Sequence, residues 1–265
     1  MLIGQISDSH MLPPGETNHA GIDPAARLKA AVDAMNHANP DLVLHTGDIA
    51  HHGTPEAYAL AKEILEKLEA PIYLIPGNHD DRASMRSVFS SENWMPDKKT
   101  PSAFIHYEID ADPLHIIMLD SLLPGQVGGQ LCDDRLEFLA KQLDHDTRPT
   151  IIAIHHPPMA PGLGGFAKIG LEGADKLAEI VSRRQQVIRI IAGHNHRSVM
   201  GVCGGVPAVV APSCAFPFAF NTNKDASISI AFEPPGAALH IWEKGEGLVS
   251  HTISIGDWPP PRALR

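Results

Sequence analysis

The first eighty residues alternate short apolar runs with longer amphipathic stretches, and this alternation restricts the fold more than any other feature of the sequence. Apolar runs at 2–7, 41–45 and 71–75 predict three strands. Between them, Asp23-Pro24 and Thr54-Pro55 indicate the starts of two helices, because each pairs an N-cap residue with proline at the first helical position. A β-α-β-α-β order is typical of a sheet covered by helices, so the predicted fold class is α/β.

The rest of the sequence predicts a hairpin, two more helices and further strands. The hairpin is predicted at 104–109 and 114–119, the helices at 133–143 and 174–183, and two buried strands at 150–154 and 187–192. After residue 196, alternating runs predict a second, largely antiparallel sheet at 198–202, 206–210, 227–232, 238–242 and 248–253. No repeat or linker is visible, so we predict one domain over 1–265, with the Pro-rich tail from Trp258 lying across its surface.

Composition excludes several classes of protein. A net charge of -10 argues against binding of a nucleic-acid polymer, which usually requires a basic surface. No apolar run approaches 18 residues and no basic leader precedes the first strand, so neither a membrane helix nor a signal peptide is predicted. Cys132, Cys203 and Cys214 are odd in number and widely spaced, which disfavours disulfides and favours the reducing cytoplasm.

Candidate metal ligands follow five predicted strands at the point where each apolar run ends. They are in Asp8-Ser9-His10, Gly47-Asp48, Gly77-Asn78-His79, His155-His156 and Gly193-His194-Asn195-His196. Open α/β sheets bind ligands at the carboxyl ends of their strands, so all five endings are expected on one rim. Residues i and i+2 of an extended segment point the same way, so two of these motifs can each present a pair of side chains. Mixed carboxylate, amide and imidazole ligands favour manganese, iron or zinc.

These motifs resemble those of the calcineurin-like metallophosphoesterase superfamily, whose pattern is D-x-H, G-D, G-N-H-[DE], H and G-H-x-H in that order. The whole pattern is present between residues 8 and 196, and segments 46–50 and 77–82 are most similar to the branch of class III cyclic-nucleotide phosphodiesterases and glycerophosphodiesterases. The resemblance implies one metallophosphoesterase domain, a four-layer α-β-β-α sandwich of two mixed sheets, with two metal ions in a cleft at the strand ends.

The resemblance also implies a role for each motif residue. Asp8, His10 and His196 would hold the first metal ion, and Asn78, His155 and His194 the second. Asp48 would bridge the two ions, which are expected to be Mn²⁺, Fe²⁺/Fe³⁺ or Zn²⁺. His79 would be a catalytic residue that is not a ligand and that protonates the leaving oxygen or stabilises the transition state, and Asp80 would orient it. A hydroxide held by the metals would attack the phosphorus.

The predicted function is therefore metal-dependent hydrolysis of a small phosphodiester, either a cyclic nucleotide or a glycerophosphodiester. The serine/threonine phosphatases have the pattern G-D-x-x-D-R-G, in which the arginine clamps a phosphomonoester. In this sequence Asp48 is followed by Ile49-Ala50-His51-His52-Gly53, which contains no arginine. Purple acid phosphatases need tyrosine three residues after the bridging aspartate, where His51 stands. Two alternatives stay open: a broad-specificity phosphomonoesterase of the same superfamily, and a non-catalytic binding scaffold, which usually lacks several ligands.

Several neighbouring residues allow more than one interpretation. His156 is either a substrate contact or the start of a turn, and Asp120 is either an electrostatic support or a turn cap. His51 and His52 either face the cleft or lie in a solvated loop, and the solvated loop is the favoured interpretation; His45 is expected in the core. A surface position is expected for His19, His37, His145, His240 and His251. The Gly-rich segment 161–173 is expected to be a mobile loop near the site.

The segment after the last metal motif, about 205–257, is expected to contribute to an oligomer, because in related diesterases it helps to build a dimer or a larger assembly. Phe216, Phe218 and Phe220 alternate in this segment. They form either an interface or pocket lid, or part of the core. We therefore expect a homo-oligomer.

Overall fold

The computed structural model describes residues 1–96, 103–166, 169–257 and 262–263. The amino-terminal part contains β1 (Leu2–Ile6), α1 (Pro24–Ala38), β2 (Leu42–His45), α2 (Pro55–Leu65), β3 (Ile72–Leu74) and α3 (Arg82–Val88). The middle contains β4 (Tyr107–Ala111), β5 (Leu114–Leu119), β6 (Gly129–Gln130), α4 (Asp133–His145), β7 (Thr150–Ile154), β8 (Leu171–Glu172), α5 (Ala174–Ser182) and β9 (Val187–Ala192). The carboxyl-terminal part adds β10 (Val199–Cys203), β11 (Val206–Val210), β12 (Gly236–Glu243) and β13 (Gly247–Ser254).

The strands form two large mixed sheets. One has the order β13-β12-β1-β2-β3 and the other β10-β11-β9-β7-β5-β4, and β6 and β8 form a separate small pair. The central strands of both large sheets run parallel, β1-β2-β3 in the first and β5-β7-β9-β11 in the second. This parallel order places the carboxyl ends of the central strands at one edge of each sheet.

The alternation of buried residues along β5 defines the layers. Ile116 and Met118 lie in the core cluster that also contains Leu28 of α1 and Ile3 of β1. Ile117 and Leu119 lie in a second cluster, which contains residues of α4 and α5. Successive strand residues face opposite sides of a sheet, so the six-stranded sheet is buried on both faces. The predicted four-layer α-β-β-α sandwich of two mixed sheets is confirmed.

The predicted starts of α1 and α2 are confirmed by their caps. The Asp23 carboxylate accepts hydrogen bonds from the backbone N–H groups of Ala25 and Ala26, at 2.9 and 3.1 Å. Thr54 Oγ1 accepts from Ala57 N–H at 3.4 Å. Each cap satisfies N–H groups that have no partner within the helix. The sequence did not predict α3, which begins after the cap residue Asp81.

The prediction of a separate carboxyl-terminal sheet is wrong, because its strands pair with the two large sheets instead of with one another alone. The predicted runs form β10 to β13, except 227–232, which makes only an isolated bridge between Phe218 and Ile230. Strands β10 and β11 extend the six-stranded sheet, whereas β12 and β13 extend the sheet that contains β1. Alternation indicates a strand with one exposed face but does not specify the sheet edge on which it pairs.

Two further expectations have different outcomes. The first strand of the hairpin begins at Tyr107, three residues later than predicted. Most of the tail from Trp258 lies outside the described residues, and the single domain over 1–265 stays a prediction. In the described ranges no helix has the length and apolar character needed to cross a bilayer.

Candidate metal centre

The loops after β1 and β2 run side by side and bring the first two motifs together. The parallel register of the two strands pairs Ile6 with His45 and continues into a bridge between Met11 and Ala50. Asp8 N–H donates to the Gly47 carbonyl at 3.0 Å and so joins these two loops. In the other sheet, Gly193 N–H donates to the His155 carbonyl at 3.0 Å and joins the loops after β7 and β9. The predicted common rim is therefore formed by backbone hydrogen bonds between neighbouring loops.

Five of the predicted ligands have a left-handed backbone conformation. Their φ angles are 55° at Asp8, 46° at His10, 53° at Asp48, 73° at His194 and 55° at His196. This region costs an L-residue other than glycine roughly 1–2 kcal/mol. Such conformations cluster at functional sites, where the surrounding structure holds a side chain in a required direction.

The first group of donor atoms belongs to Asp8, His10, Asp48 and His196, which are buried and lie within 4.8 Å of one another. His10 Nε2 is 2.9 Å from His196 Nε2 and 3.6 Å from Asp48 Oδ2, and Asp8 Oδ1 is 3.4 Å from His196 Nε2. His196 Nδ1 lies 2.7 Å from the Phe216 carbonyl oxygen, which can only accept, so Nδ1 carries the proton. Its Nε2 lone pair therefore points into the group.

The second group is formed by Asn78, His155 and His194 and also includes Asp48. His155 Nδ1 donates to the Thr46 carbonyl at 2.7 Å, which leaves Nε2 as an electron-pair donor 3.1 Å from Asn78 Oδ1 and 3.5 Å from Asp48 Oδ2. On the opposite side, His194 Nδ1 lies 3.0 Å from Asn78 Oδ1.

The protonation of His194 completes this second group. Its Nε2 is 3.3 Å from the Ile169 carbonyl, which assigns the proton to Nε2 and leaves the Nδ1 lone pair directed at the group. Burial, followed by the neighbouring His155, lowers the pKa of His194 to about 4, so its ring is neutral. Asn78 Oδ1, Asp48 Oδ2 and His194 Nδ1 thus converge as electron-pair donors, and His155 Nε2 joins them when its ring is neutral, an arrangement that fits a cation.

The charge balance of His155 supports the same conclusion. Burial lowers the pKa of this imidazole, but the Asp48 and Asp8 carboxylates and the hydrogen bond to the Thr46 carbonyl together outweigh burial and raise the pKa to about 9. The carboxylates therefore favour positive charge between them. A proton on His155 and a metal ion are alternative ways to supply that charge, since a histidine ligand must be deprotonated.

The motif glycines permit the close approach of the ligands. A Cβ atom added to Gly77 would overlap Asp48 Oδ1 and the Asp48 backbone nitrogen. One added to Gly193 would overlap Ser7 Oγ and lie 2.7 Å from Asp8 Oδ2. Glycine is required at both positions because the backbone of Gly77 lies directly against Asp48, and that of Gly193 against Asp8.

His79 lies beside the donor groups and is oriented by a backbone carbonyl. Its N–H donates to Asp48 Oδ1 at 2.8 Å, and its ring Nδ1 is 2.9 Å from the His51 carbonyl oxygen. The His51 ring stacks on the His79 ring at a centroid distance of 4.9 Å, and its Nδ1 is 3.1 Å from His10 Nδ1. The prediction of a solvated loop is therefore wrong for His51 and confirmed for His52, which is exposed.

Asp80 joins two loops and does not orient the His79 ring directly, contrary to the prediction. One carboxylate oxygen accepts from Ala50 N–H and the Tyr58 hydroxyl, at 3.0 and 2.8 Å. The other accepts from Ile49 N–H and Gly77 N–H, at 3.1 and 2.8 Å. Asp80 thus connects the backbone after β2 to the backbone after β3. No role in proton transfer follows from these contacts.

His156 and Asp120 both lie in the interior. His156 Nδ1 is 2.8 Å from Ser121 Oγ, and its Nε2 is 3.2 Å from the Val127 carbonyl. Asp120 accepts from Leu122 N–H and also pairs with Arg82 at 2.7 Å, so it is a turn cap and one partner of a buried ion pair. These contacts assign Asp120 to a structural role, and contact between His156 and substrate stays a prediction.

The other histidines divide between core and surface. His45 is buried and its Nε2 lies 2.9 Å from Ser9 Oγ, as predicted. His240 is also buried, which contradicts the predicted surface position, because its Nε2 pairs with Gln5 Oε1 at 3.0 Å between the sheets. The remaining four expected at the surface are exposed: His19, His37, His145 and His251.

The three alternating phenylalanines have different environments. Phe216 is buried against His196, with 4.8 Å between the ring centroids. Phe218 stacks on the same imidazole at 4.0 Å, whereas Phe220 is 69% exposed. Two of the rings therefore form an apolar wall of the first donor group. The Gly-rich segment also reaches the site, because Phe166 contacts His194 edge-on at 5.7 Å.

A sequence model of the calcineurin-like phosphoesterases matches residues 1–198. The chain is a calcineurin-like phosphoesterase. The predicted family and fold are thereby confirmed, and the ligand motifs all lie within the matched region. Members of this family depend on metal ions, consistent with the two groups of donor atoms at the rim.

Relatives of this calcineurin-like phosphoesterase include named phosphodiesterases. It is 33% identical over 265 residues to a probable glycerophosphodiester phosphodiesterase (GpdQ) of Arcobacter nitrofigilis, covering 98% of this chain and 96% of the relative. It is 28% identical over 222 residues to the 3',5'-cyclic adenosine monophosphate phosphodiesterase (CpdA) of Pseudomonas aeruginosa, covering 83% and 78%. A dimetal phosphatase from Danio rerio shares the fold, with a TM-score of 0.65 at 17% identity over 96% of this chain and 99% of that one.

Proposed function

We propose that this calcineurin-like phosphoesterase is a metal-dependent phosphodiesterase whose substrate is a cyclic nucleotide or a glycerophosphodiester. The observation that carries the proposal is the pair of donor groups that share Asp48 at the strand ends, with His79 beside them. Relatives named for both substrate classes support this substrate range.

We assign the first metal ion to Asp8, His10 and His196, and the second to Asn78, His155 and His194, with Asp48 shared between the ions. When bound, two such ions neutralise charge on a phosphate group and lower the pKa of water. The mixture of imidazole, carboxylate and amide donors supports manganese, iron or zinc. The hydrogen bonds from His155 and His196 to backbone carbonyls fix the ring nitrogen that each presents.

His79 is proposed to donate a proton to the leaving oxygen. Its Nδ1–H is held by the His51 carbonyl, so Nε2 is the atom that can carry and release a proton. A positioned general acid of this kind typically contributes a factor of about 10²–10⁴ in rate. The stacked His51 ring and the backbone bond from His79 to Asp48 fix the position of this imidazole.

The arginines next to the ligand motifs support a diester substrate over a phosphomonoester. Arg82 follows the third motif, but its guanidinium is bound to Asp120 and to the Leu122 carbonyl. Arg197 follows the last motif and pairs with Glu233 and the Phe218 carbonyl. Both guanidinium groups are therefore occupied, whereas a monoester adds a second negative charge that favours a clamping arginine.

We also propose that the protein is a cytoplasmic homo-oligomer. Its three cysteines are free, which is consistent with a reducing compartment. Met200 and Val202 are 75% and 63% exposed on the edge strand β10, just before the segment expected to contribute to assembly. An exposed apolar edge strand is suited to a contact between subunits.

Activity of the manganese-loaded protein on bis(p-nitrophenyl) phosphate tests the proposed function. Asn78→Ala should weaken manganese binding at least about tenfold and reduce turnover, because it removes a ligand. His79→Ala should retain the metal and lose about 10²–10⁴ in kcat. His52→Ala, at an exposed neighbouring position, is the matched control. Metal content is measured by elemental analysis and affinity by calorimetry.

Two results would contradict the proposal. One is a metal-loaded protein that hydrolyses no diester, or whose turnover is unchanged by Asn78→Ala. The other is an equal loss of metal in both variants, which would refute the separate roles of Asn78 and His79. A panel of cyclic AMP, cyclic GMP, glycerophosphodiesters and phosphomonoesters at fixed metal content then separates diesterase from monoesterase activity.

A further inference from the structure

The side chain of Gln5 joins the two large sheets just below the second donor group. Gln5 lies on β1 and is fully buried. Asp48 and Asn78 follow strands of the five-stranded sheet that contains β1, whereas His155 and His194 follow strands of the six-stranded sheet. The relative position of the two sheets at the rim therefore determines how closely these four donors approach one another.

The Gln5 amide makes three hydrogen bonds. Its Nε2 donates to Thr46 Oγ1 and to the Ala192 carbonyl, each at 2.9 Å. A carbonyl oxygen can only accept, so the amide nitrogen faces Ala192, and the amide oxygen faces His240 Nε2 at 3.0 Å. Both amide hydrogens and the amide oxygen are thus bound, and a buried polar group with all its partners is held rigidly.

The two residues that accept from Gln5 lead directly into the second donor group. The Thr46 carbonyl accepts from His155 Nδ1 at 2.7 Å and fixes that ring. Ala192 is the last residue of β9, two positions before His194. The Gln5 amide therefore sets the spacing between the loop after β2, which carries the shared carboxylate, and the loop after β9.

The first donor group has supports of its own. His196 Nδ1 donates to the Phe216 carbonyl at 2.7 Å. His10 Nδ1 lies 3.1 Å from His51 Nδ1. Loss of the Gln5 amide should therefore change the second donor group more than the first.

We infer that Gln5 is a positioning residue that sets the affinity of the second metal ion by joining the loops after β2 and β9. It contacts neither the ion nor the substrate and acts through Thr46 and Ala192. The inference rests on the ligand assignment of the proposed function and adds to it a residue that lies outside the ligand motifs.

Titration of Mn²⁺ into metal-free protein, measured by calorimetry, tests the inference without turnover. Gln5→Met keeps an unbranched side chain of similar length and removes the amide. It should weaken binding of the second ion roughly 2- to 30-fold, the range for residues that act on a site through a network of contacts. Binding of the first ion should stay within about twofold of the wild type. Asn78→Ala, which removes a ligand of the second ion, identifies the binding event that belongs to it.

Gln186→Met is the matched control. The Gln186 side chain donates to the Leu143 carbonyl at 2.8 Å, and this residue lies immediately before β9, at the end of the strand opposite to the rim. The same substitution there removes a hydrogen bond of the same kind. It should leave the affinities for both ions unchanged.

A second variant guards against misfolding of the first. Thr46→Val keeps the backbone carbonyl that binds His155 but removes the hydroxyl that accepts from Gln5. It should weaken binding of the second ion by a smaller factor. Because both variants remove the same bond, the double variant should lose less than the product of the two single losses.

Electron paramagnetic resonance of manganese-loaded protein gives a readout that loss of stability alone does not change. Folded Gln5→Met should show more signal from isolated Mn²⁺ and less from coupled pairs than the wild type or Gln186→Met. Equal weakening of both binding events in Gln5→Met would overturn the inference. If Gln5→Met does not fold, an unchanged second event in Thr46→Val would overturn it.

Failure of the proposed function gives a different result. Wild-type protein that binds two manganese ions but hydrolyses no diester would refute the phosphodiesterase proposal alone, and the titration of Gln5→Met would still decide the role of Gln5. Wild-type protein without a second binding event would refute the ligand assignment and this inference together.

Discussion

Replacing Gly77 by alanine tests whether close backbone approach positions the shared carboxylate. The added methyl group would overlap Asp48 Oδ1 and the Asp48 backbone nitrogen, and it would lie 2.8 Å from His155 Cε1. Rotation of the Asp48 side chain cannot relieve the contact with the backbone nitrogen. The loop after β3 must therefore move away from the loop after β2, and the two donor groups separate.

The expected magnitudes follow from this geometry. Overpacking of a rigid site typically costs about 1–3 kcal/mol, and an alanine for glycine exchange returns about 0.4–1 kcal/mol by restricting the unfolded chain. The net loss of stability is then at most about 2–3 kcal/mol. The expected effect on metal binding is a loss of about 10–100-fold in affinity, because the contacts that support the ligands are displaced.

Gly170→Ala is the matched control, since a Cβ atom at Gly170 would meet no heavy atom within 4 Å. Urea unfolding of metal-free protein gives the stability of both variants, and calorimetry gives their affinities for Mn²⁺. We expect Gly170→Ala to equal or slightly exceed the wild type in stability. If Gly77→Ala bound manganese as tightly as Gly170→Ala does, close approach at Gly77 would not position Asp48.

Two further predictions concern stability. Burial, with a smaller contribution from Arg189, lowers the pKa of His240 to about 3, so between pH 6.5 and about 3 the unfolded chain binds a proton that the folded chain does not. Stability should fall as pH decreases below 6.5, and His240→Gln should remove about 1.36 kcal/mol per pH unit of that slope in urea titrations, whereas His251→Gln should not. Arg82→Leu should cost about 3–5 kcal/mol because it leaves the Asp120 carboxylate buried without its partner. The control is Arg183→Leu, which removes an exposed ion pair with Glu179 and should lower the free energy of unfolding by less than about 1 kcal/mol in the same assay.

The sequence was most informative where an apolar run ends in a motif. The strands at Thr150–Ile154 and Val187–Ala192 were predicted with the bounds they have. Short β-branched runs bounded by polar residues give a strong local signal, and parallel pairing then places their ends together. The identities of the predicted ligands depended on the family pattern, because spacing alone does not distinguish a ligand from a neighbour.

The failures concern contacts between distant parts of the chain. His240 was expected at the surface because alternation along a strand does not identify the face that meets another sheet. His51 was expected in solvent because its local sequence does not show which residues it meets. Its approach to His10 follows from the register of β1 against β2, which continues past the strands to the bridge between Met11 and Ala50. Extending that register further places His51 opposite Leu12, two residues along the chain from His10. Asp80 was assigned to His79 by sequence proximity, whereas three of its donors belong to the segment 49–58.

The left-handed backbone at five predicted ligands has a consequence for the order in which the protein opens. At roughly 1–2 kcal/mol each, these conformations together oppose folding by about 5–10 kcal/mol, comparable to the net stability of a typical domain. The opposing energy is concentrated at one rim, while Ile3 and Ile190 in the strands below it are fully buried. Removal of metal should therefore loosen the rim before the sheets. Amide hydrogen exchange of the metal-free protein should be fast at His10 and His196, whereas Ile3 and Ile190 should stay protected. Equal exchange rates at all four residues would show that the rim does not open before the sheets.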